Sequence, residues 1–559
     1  MRRLLDPSRR LLLPLLAGLL LSACGSDLIY RSADPQSIKP DDPVFAGSGY
    51  ITARILNNTP LASTTNWRKM ELTASASSAD GKTQVFAVPM THQDYFLGQL
   101  PAGEYAIRQF SDFFPGADVV HYAPAPASLG TFRIVPGRVT DLGVLIYQPL
   151  DSGRRGGPFY IVRDQDDLDM LQLIDTHYPQ LTANIATDRV FAWQPGELAH
   201  HNDSGKTLLD VSLQYPQINR PELTETQAGQ LLTTTKLGVI LLRGRTGDWQ
   251  TVDTGHRLEL GDLIELPSGG YLVTAGHGNL LYSHNLPGPW QRLEPPLPGA
   301  HLDRLINAGK SGVYLLSHRN RFKEAGWFLG TDIVERNYQL HHAVNPLAGP
   351  WQLLDLPAAI TSVHGVFSDQ KHLYINVNGR KAWQMDLASG DWREISTPLD
   401  QFKLNADGAQ FSFNSNYQDM PKVLVARNDA DSDWFQFGIY LDAIPVRDAS
   451  GNWYMQGRRV IKLAEGSRKT IPDHRSAIFV RRPNAVELLE IGPGLDRCDA
   501  HWIFGDQLTL SWRQNALWAS CPALGTLYRY DSNSVNWVKE YPRPVSDAQQ
   551  SNDGAATKT

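Results

Sequence analysis

Three Gly-Lys-Ser/Thr triplets are the first residues whose types and spacing could do chemistry: Gly81-Lys82-Thr83, Gly205-Lys206-Thr207 and Gly309-Lys310-Ser311. Such a triplet cradles phosphate only when a further glycine stands five residues before its own, turning backbone amides onto the oxygens. Ala76, His200 and Arg304 hold those positions, so all three triplets read as turns. The sequence has no HExxH zinc helix and no GxSxG nucleophile elbow. Adjacent histidines occur at His200-His201 and His341-His342. Neighbours in a strand point to opposite faces, so neither pair chelates one metal readily. His200 to Asp203 reads as a solvated turn, and the spacing of His277, His284, His318 and His364 selects no ligand set. The three cysteines, Cys24, Cys498 and Cys521, form no CxxC pattern. No cofactor, metal ligand or catalytic residue is therefore expected.

Cys24 stands apart by its setting. Arg2, Arg3, Arg9 and Arg10 give a basic start with Asp6 as its one acid, and an apolar run follows from Leu11 to Leu21. That run is too short for a hydrocarbon core needing ~20 apolar residues. Basic start, short apolar core and small residues make the pattern of a secretory signal. The core ends in Leu21-Ser22-Ala23-Cys24, which resembles the lipobox of bacterial lipoproteins. The resemblance implies diacylglycerol on the Cys24 thiol, cleavage after Ala23 and acylation of the new amino terminus. Several acyl chains would anchor firmly, at roughly 0.8 kcal/mol per buried CH₂. Gly25 stands where an inner-membrane lipoprotein of enteric type usually carries Asp, which favours the outer membrane in a Gram-negative host. An ordinary signal peptide with an incidental cysteine is the alternative. Ser8-Arg9-Arg10-Leu11-Leu12 also resembles a twin-arginine signal, and a merely basic start explains it equally well.

Beyond a 1–23 leader the formal charge of −6 becomes about −9, because the leader carries four arginines and one aspartate. An acidic chain of this kind argues against a nucleic-acid partner, which calls for a basic surface. No later segment is apolar enough to span a bilayer. Oxidising export would permit a disulfide between Cys498 and Cys521, with two separate buried thiols as the alternative.

Placing these residues requires the elements around them. Residues 24–46 read as a polar tether and 47–150 as an all-β domain. The phrases Tyr95 to Ile107 and Phe132 to Tyr147 each run strand, Pro/Gly turn, strand. They resemble the small prealbumin-like sandwiches related to carboxypeptidase regulatory domains, which implies a non-catalytic spacer. Residues 151–185 read as a linker with a helix from Asp164 to His177, its apolar face made by Leu168, Met170, Leu171, Leu173 and Ile174 and its end set by Pro179.

From 186 to 541 a repeat emerges: apolar strands, a Gly- or Asn-bearing hairpin, then a Trp. Trp249, Trp290, Trp351 and Trp392 carry it, and Trp537 is a degenerate copy. Trp249 to Trp290 and Trp351 to Trp392 are both 41 residues. Trp290 to Trp351 is 61, with an insertion around Phe322 to Arg336, and Trp392 to Trp537 is 145, close to three units. Periods of 40–50 with four short strands are those of a β-propeller blade, so a roughly seven-bladed propeller is expected behind a small N-terminal β-sandwich. Stacked β-sandwiches are the rival. Residues 542–559 read as a disordered tail.

The hairpins resemble degenerate Asp-boxes of sialidase-like propellers, best at Ser283 to Trp290, where Asn285 replaces the usual Asp. In that family the box is a folding element whose polar side chain caps the turn. The resemblance also raises the possibility of a hydrolase with two carboxyls and three arginines, and Arg304, Arg319, Arg321, Arg380 and Arg393 are available. Trp383, Trp453, Trp502, Trp512 and Trp518 could stack sugars, although blade core is their default role. The leading expectation is a non-catalytic binding or assembly scaffold at the cell envelope, partnered by the lipid bilayer through acylated Cys24 and by an envelope protein. The alternatives are a glycan-active hydrolase and a surface adhesin or glycan-binding lipoprotein.

Overall fold

The computed structural model describes residues 28–33 and 47–542, apart from 60–66, 78–80, 92–94, 114–119, 151–157, 165–167, 184, 186–189, 192–202, 246, 325–330, 378–380, 400, 405–407, 414–423, 429–431, 463–469, 474, 484, 486, 496–507 and 522–523. Leu21, Ser22, Ala23, Cys24, His200, His201, Arg380, Cys498 and Trp502 lie outside the described residues.

Seven blade sheets follow one another from Thr224 to Tyr541; six are made of consecutive strands, and the sixth in order is interrupted by a separate two-stranded hairpin, Val460–Lys462 with Thr470–Pro472. The blades run Thr224–Asp253, Leu260–Leu293, His301–Leu354, Gly365–Ser396, Gln401–Gln436, Tyr440–Pro493 and Thr509–Tyr541, and are numbered 1 to 7 here. Contacts between neighbouring blades run mainly through their first strands, which therefore stand nearest the axis. Blade cores are built from alternation. The inner strands depart from it by being covered on both faces: in blade 2, Tyr271–Ala275 is buried throughout and the adjacent Leu280 and Leu281 are both buried, and the strands pair antiparallel. The 61-residue spacing comes from an extended hairpin, Val313–Glu324 with Thr331–Ala343.

Trp249, Trp290, Trp351, Trp392 and Trp537 all sit at or next to the start of a blade's outermost strand. Trp434 holds the same place in blade 5, directly before Phe435–Gln436, and the sequence reading passed over it. At Ser283 to Trp290 the turn is closed by Ser283, whose Oγ lies 2.8 Å from the Asn285 carbonyl and 2.7 Å from that of Pro289. The closing side chain is thus Ser283, where Asn285 was expected. Cys521 is disulfide-bonded.

The ring closes without an exchanged strand. Blades 7 and 1 meet through side chains: Arg243 donates to Gln514 at 2.7 Å, Arg513 to the Leu223 carbonyl at 3.1 Å, and Tyr541 to the Pro216 carbonyl at 2.8 Å.

The N-terminal part is one connected sheet of eleven strands. Thr83–Thr91 pairs early with Trp67–Ala74 and late with Tyr95–Pro101, so it joins two halves that share a single core. Several boundaries differ from expectation. Leu28–Ser32, assigned to the tether, pairs parallel with Thr83 to Ala87. Phe159–Asp164, assigned to the linker with a helix beginning at Asp164, is a strand on Val139–Pro149. The helix is Met170–His177, because Asp169 caps it by accepting from the Gln172 amide at 3.1 Å. Val190–Phe191 belongs to this sheet, so the propeller begins later than 186. Gly205-Lys206-Thr207, expected as a turn, lies inside the helix Asp203–Gln214.

This sheet is fused to the ring. Tyr95, Leu97, Val139, Met170 and Ile174 share a core with Leu232, Ile240, Leu258 and Val273, and Leu56, Val144 and Ile146 share another with Leu237 and Val239. Arg257 pins the junction, with Nε 2.6 Å from Asp164 and a bidentate pair on Asp253 at 2.7 and 2.9 Å. Its carbonyl accepts from Arg54 at 2.6 Å. Cores shared across a junction resist hinge motion in a way that polar domain contacts do not.

Candidate functional site

Strand alternation sends successive side chains to opposite sides, and the first strands of blades 2, 3 and 5, with the segment leading into blade 1, use it alike. Glu222, Asp262, Arg304 and Lys403 each directly precede a leucine, and Leu223, Leu263, Leu305 and Leu404 are all buried in the blades. The charged partner of each pair turns to the axis. Blades 1, 2, 3 and 5 thereby assemble a charge array, which Arg220 joins from the segment leading into blade 1.

Local irregularities aim two of these groups. The register slips between Leu260 and Leu263 in blade 2 and between Leu302 and Arg304 in blade 3, and such bulges re-aim side chains. At the first slip a Cβ on Gly261 would lie 2.4 Å from the Thr274 hydroxyl, so only glycine permits the approach. The Asp262 amide in turn donates to that hydroxyl at 2.9 Å. Asp262 is the hub of the array. It pairs with Arg304 at 3.0 Å and with Arg220 at 3.7 Å, and accepts from the Leu305 amide at 2.9 Å.

Glu222 is exposed and Lys403 half-buried, and each lies close enough to Arg304 to feel its charge. Burial alone would raise the Glu222 carboxyl, and the charges of Arg304, Lys403 and Arg220, with a backbone hydrogen bond, outweigh it and hold the group below the usual carboxylate range. Burial lowers the Lys403 ammonium, Glu222 partly opposes that, and Arg304 adds to it. Arg304 is held more firmly protonated, since Asp262 and Glu222 outweigh its own burial. Among the described residues Lys403 makes no ion pair at contact distance. The array thus offers an ammonium, without a contact-distance ion pair among the described residues, in the field of a carboxylate and a guanidinium.

The other residues singled out by sequence do not converge. Arg319 and Arg321 lie on the long hairpin of blade 3 and Arg393 on the outer strand of blade 4, away from Arg304 in the first strand. Trp453 and Trp518 are buried blade core, while Trp512 lines a cleft between blades 6 and 7. His341 is buried and His342 stacks on Tyr314. A second histidine group is interfacial: His177, His277, His301 and His318 gather where the N-terminal unit meets blades 2 and 3. His301 and His318 stack at 4.9 Å, and His318 bonds Asp303 at 2.6 Å. Among the described residues no group of three or more His, Cys, Asp or Glu is placed to hold a metal ion. No helix among them is long and apolar enough to cross a membrane.

No family model matches this chain, and no curated protein matches it. Solved structures do show similarity. A streptogramin B lyase is 10% identical, with 56% of this chain and 92% of that one covered and a TM-score of 0.35. YCF48 bound to a D1 peptide is 10% identical over 59% of this chain and 87% of that one, with a TM-score of 0.32. The β-propeller domain of Cps50 (Swd1) from Myceliophteria thermophila is 12% identical over 56% and 97%, with a TM-score of 0.34. The seven-bladed assignment rests on the order of the sheets and not on these likenesses.

Proposed function

We propose that the protein is a lipid-anchored component of the cell envelope, held by acylated Cys24, whose propeller is a non-catalytic binding or assembly scaffold for an envelope protein. The observation that carries the binding role is the axial array, in which Lys403 faces Glu222 and Arg304 without a contact-distance ion partner among the described residues. An acidic segment of a partner, entering along the axis, would meet that ammonium. The fusion of the N-terminal unit to blades 1 to 3 makes the whole body stiff, as a scaffold requires, and the lipobox resemblance supports the envelope location.

The test is crosslinking in cells of a tagged wild type beside Cys24→Ala and Lys403→Ala, with purification and mass spectrometry. One envelope protein recovered with wild type and lost from both variants is the expected result. Failure to recover any protein partner with wild type would end the scaffold reading.

A further inference from the structure

A cleft of about 810 Å³ opens between blades 6 and 7, on the face carrying the turns between first and second strands. One wall is aromatic. Tyr454, from the second strand of blade 6, stacks on Trp512, from the first strand of blade 7, with ring centroids 4.4 Å apart and planes 19° from parallel. Leu489, 54% exposed on the outer strand of blade 6, extends that wall. The rim is made of side-chain amides from three turns: Asn452, Asn515 and Asn533. Asn515 is held there by a left-handed backbone (φ 55°) in the turn between Arg513 and Ala516.

The charges in the cleft are largely satisfied from within. Arg529 lies 2.7 Å and Arg243 3.4 Å from the carboxylate of Glu540, and Asp531 accepts from the Asn533 amide and the Ser534 hydroxyl at 3.0 and 2.8 Å. Of the lining cations only Arg482, exposed at the rim, has no ion pair among the described residues, so a phosphate or carboxylate ligand would find a single unneutralised guanidinium. A wholly apolar ligand would leave the rim amides that it covers without hydrogen-bond partners. A sugar ring satisfies both surfaces: its C–H face packs on an aromatic wall while its hydroxyls exchange hydrogen bonds with amides. The volume lies within the range of ligand pockets, roughly 300–1,000 Å³.

We infer that the cleft between blades 6 and 7 binds a neutral saccharide, with the Tyr454–Trp512 pair as its platform. The site is separate from the axial array and needs no protein partner, so it goes beyond the scaffold role.

The test uses the full chain in detergent, titrated calorimetrically and by tryptophan fluorescence with maltotetraose, cellotetraose, chitotetraose and inorganic phosphate. At least one tetrasaccharide is expected to bind with a sub-millimolar Kd, weakened about tenfold or more in Trp512→Ala, a loss of roughly 1.4 kcal/mol. Trp512 also supports the blade junction, so Leu489→Arg provides a second variant: its side chain is exposed, and the added guanidinium fills the cleft without touching the core. Binding lost in both variants while thermal melting of Leu489→Arg stays unchanged supports the site. No binding of any tetrasaccharide to wild type, binding that survives both variants, or binding of phosphate alone would each overturn it. Crosslinking of a protein partner is indifferent to Leu489→Arg, so the two readings fail separately.

Discussion

Acidification should weaken the junction between the N-terminal unit and the propeller, and His177 sets the size of the effect. Its imidazole is pushed down to about 4 from an ordinary 6.5, first by burial and then by the neighbouring His301. Tyr95 faces it with a hydroxyl 3.1 Å from Nδ1, and Phe322 of blade 3 meets it edge-on. His277 is driven well down by burial, Arg54, His301 and His177, and its Nδ1 is buried without a hydrogen-bond partner. His301 is lowered by burial, His318 and Arg336, with Asp303 opposing. The fold therefore accepts neutral rings, whereas the unfolded chain takes a proton at about 6.5. Stability from His177 is intact above that value and is lost as the pH falls through 6.5 toward 4. Between pH 7.5 and pH 5 the loss from this one residue is about 2 kcal/mol, at 1.36 kcal/mol per unit of separation. Urea unfolding of wild type and His177→Gln at both pH values isolates it, because the glutamine loses the Tyr95 stack equally at each. The gap between the two proteins should shrink by about 2 kcal/mol on going to pH 5. A gap independent of pH would mean that His177 is not held neutral and that the junction is not sensitive to acid through it.

Arg257→Met should loosen the N-terminal unit by about 3 kcal/mol, because it leaves Asp164 at the junction without its cation; hydrogen exchange in Phe159–Asp164 and Trp249–Asp253 should rise while blades 4 to 6 are unchanged. Glu222→Gln removes the acid that opposes the depression of Lys403, so the Lys403 amine should lose its proton at a lower pH than in wild type, which NMR of ¹³C-methylated lysine would read directly.

How much of this was legible depended on whether a signal was local. Blade count followed from the 41-residue spacing of Trp249 and Trp290 and of Trp351 and Trp392, because the outer strands of blades 1 to 4 begin at or beside these tryptophans. Trp434 escaped because its strand, Phe435–Gln436, is only two residues long and its turn lacks the glycine of the other hairpins. The helix Asp203–Gln214 was masked by Gly205 and Thr207, which read as breakers; Leu208, Leu209 and Leu213 overrule them by packing against the N-terminal unit. The axial array carried a sequence signal of another kind: an ionisable residue directly before a leucine, in the opening strand of three units and just ahead of it in blade 1. Any one copy is ordinary surface patterning, and only the blade register makes them equivalent. The cleft had no local signature at all, since Tyr454 and Trp512 meet from strands of two blades.

Every blade is one uninterrupted stretch of chain, and this makes the ring indifferent to where it starts. A circular permutant opened at any inter-blade connection would keep all seven hydrogen-bonded ladders whole, because no sheet borrows a strand from the far end. The natural ends of the ring already lie side by side, with the Tyr541 hydroxyl on the Pro216 carbonyl, so a short linker could join them. What permutation would move is the attachment of the N-terminal unit, which enters the ring at blade 1. The order of the blades along the gene is thus a constraint from the N-terminal unit, and the ring itself imposes none.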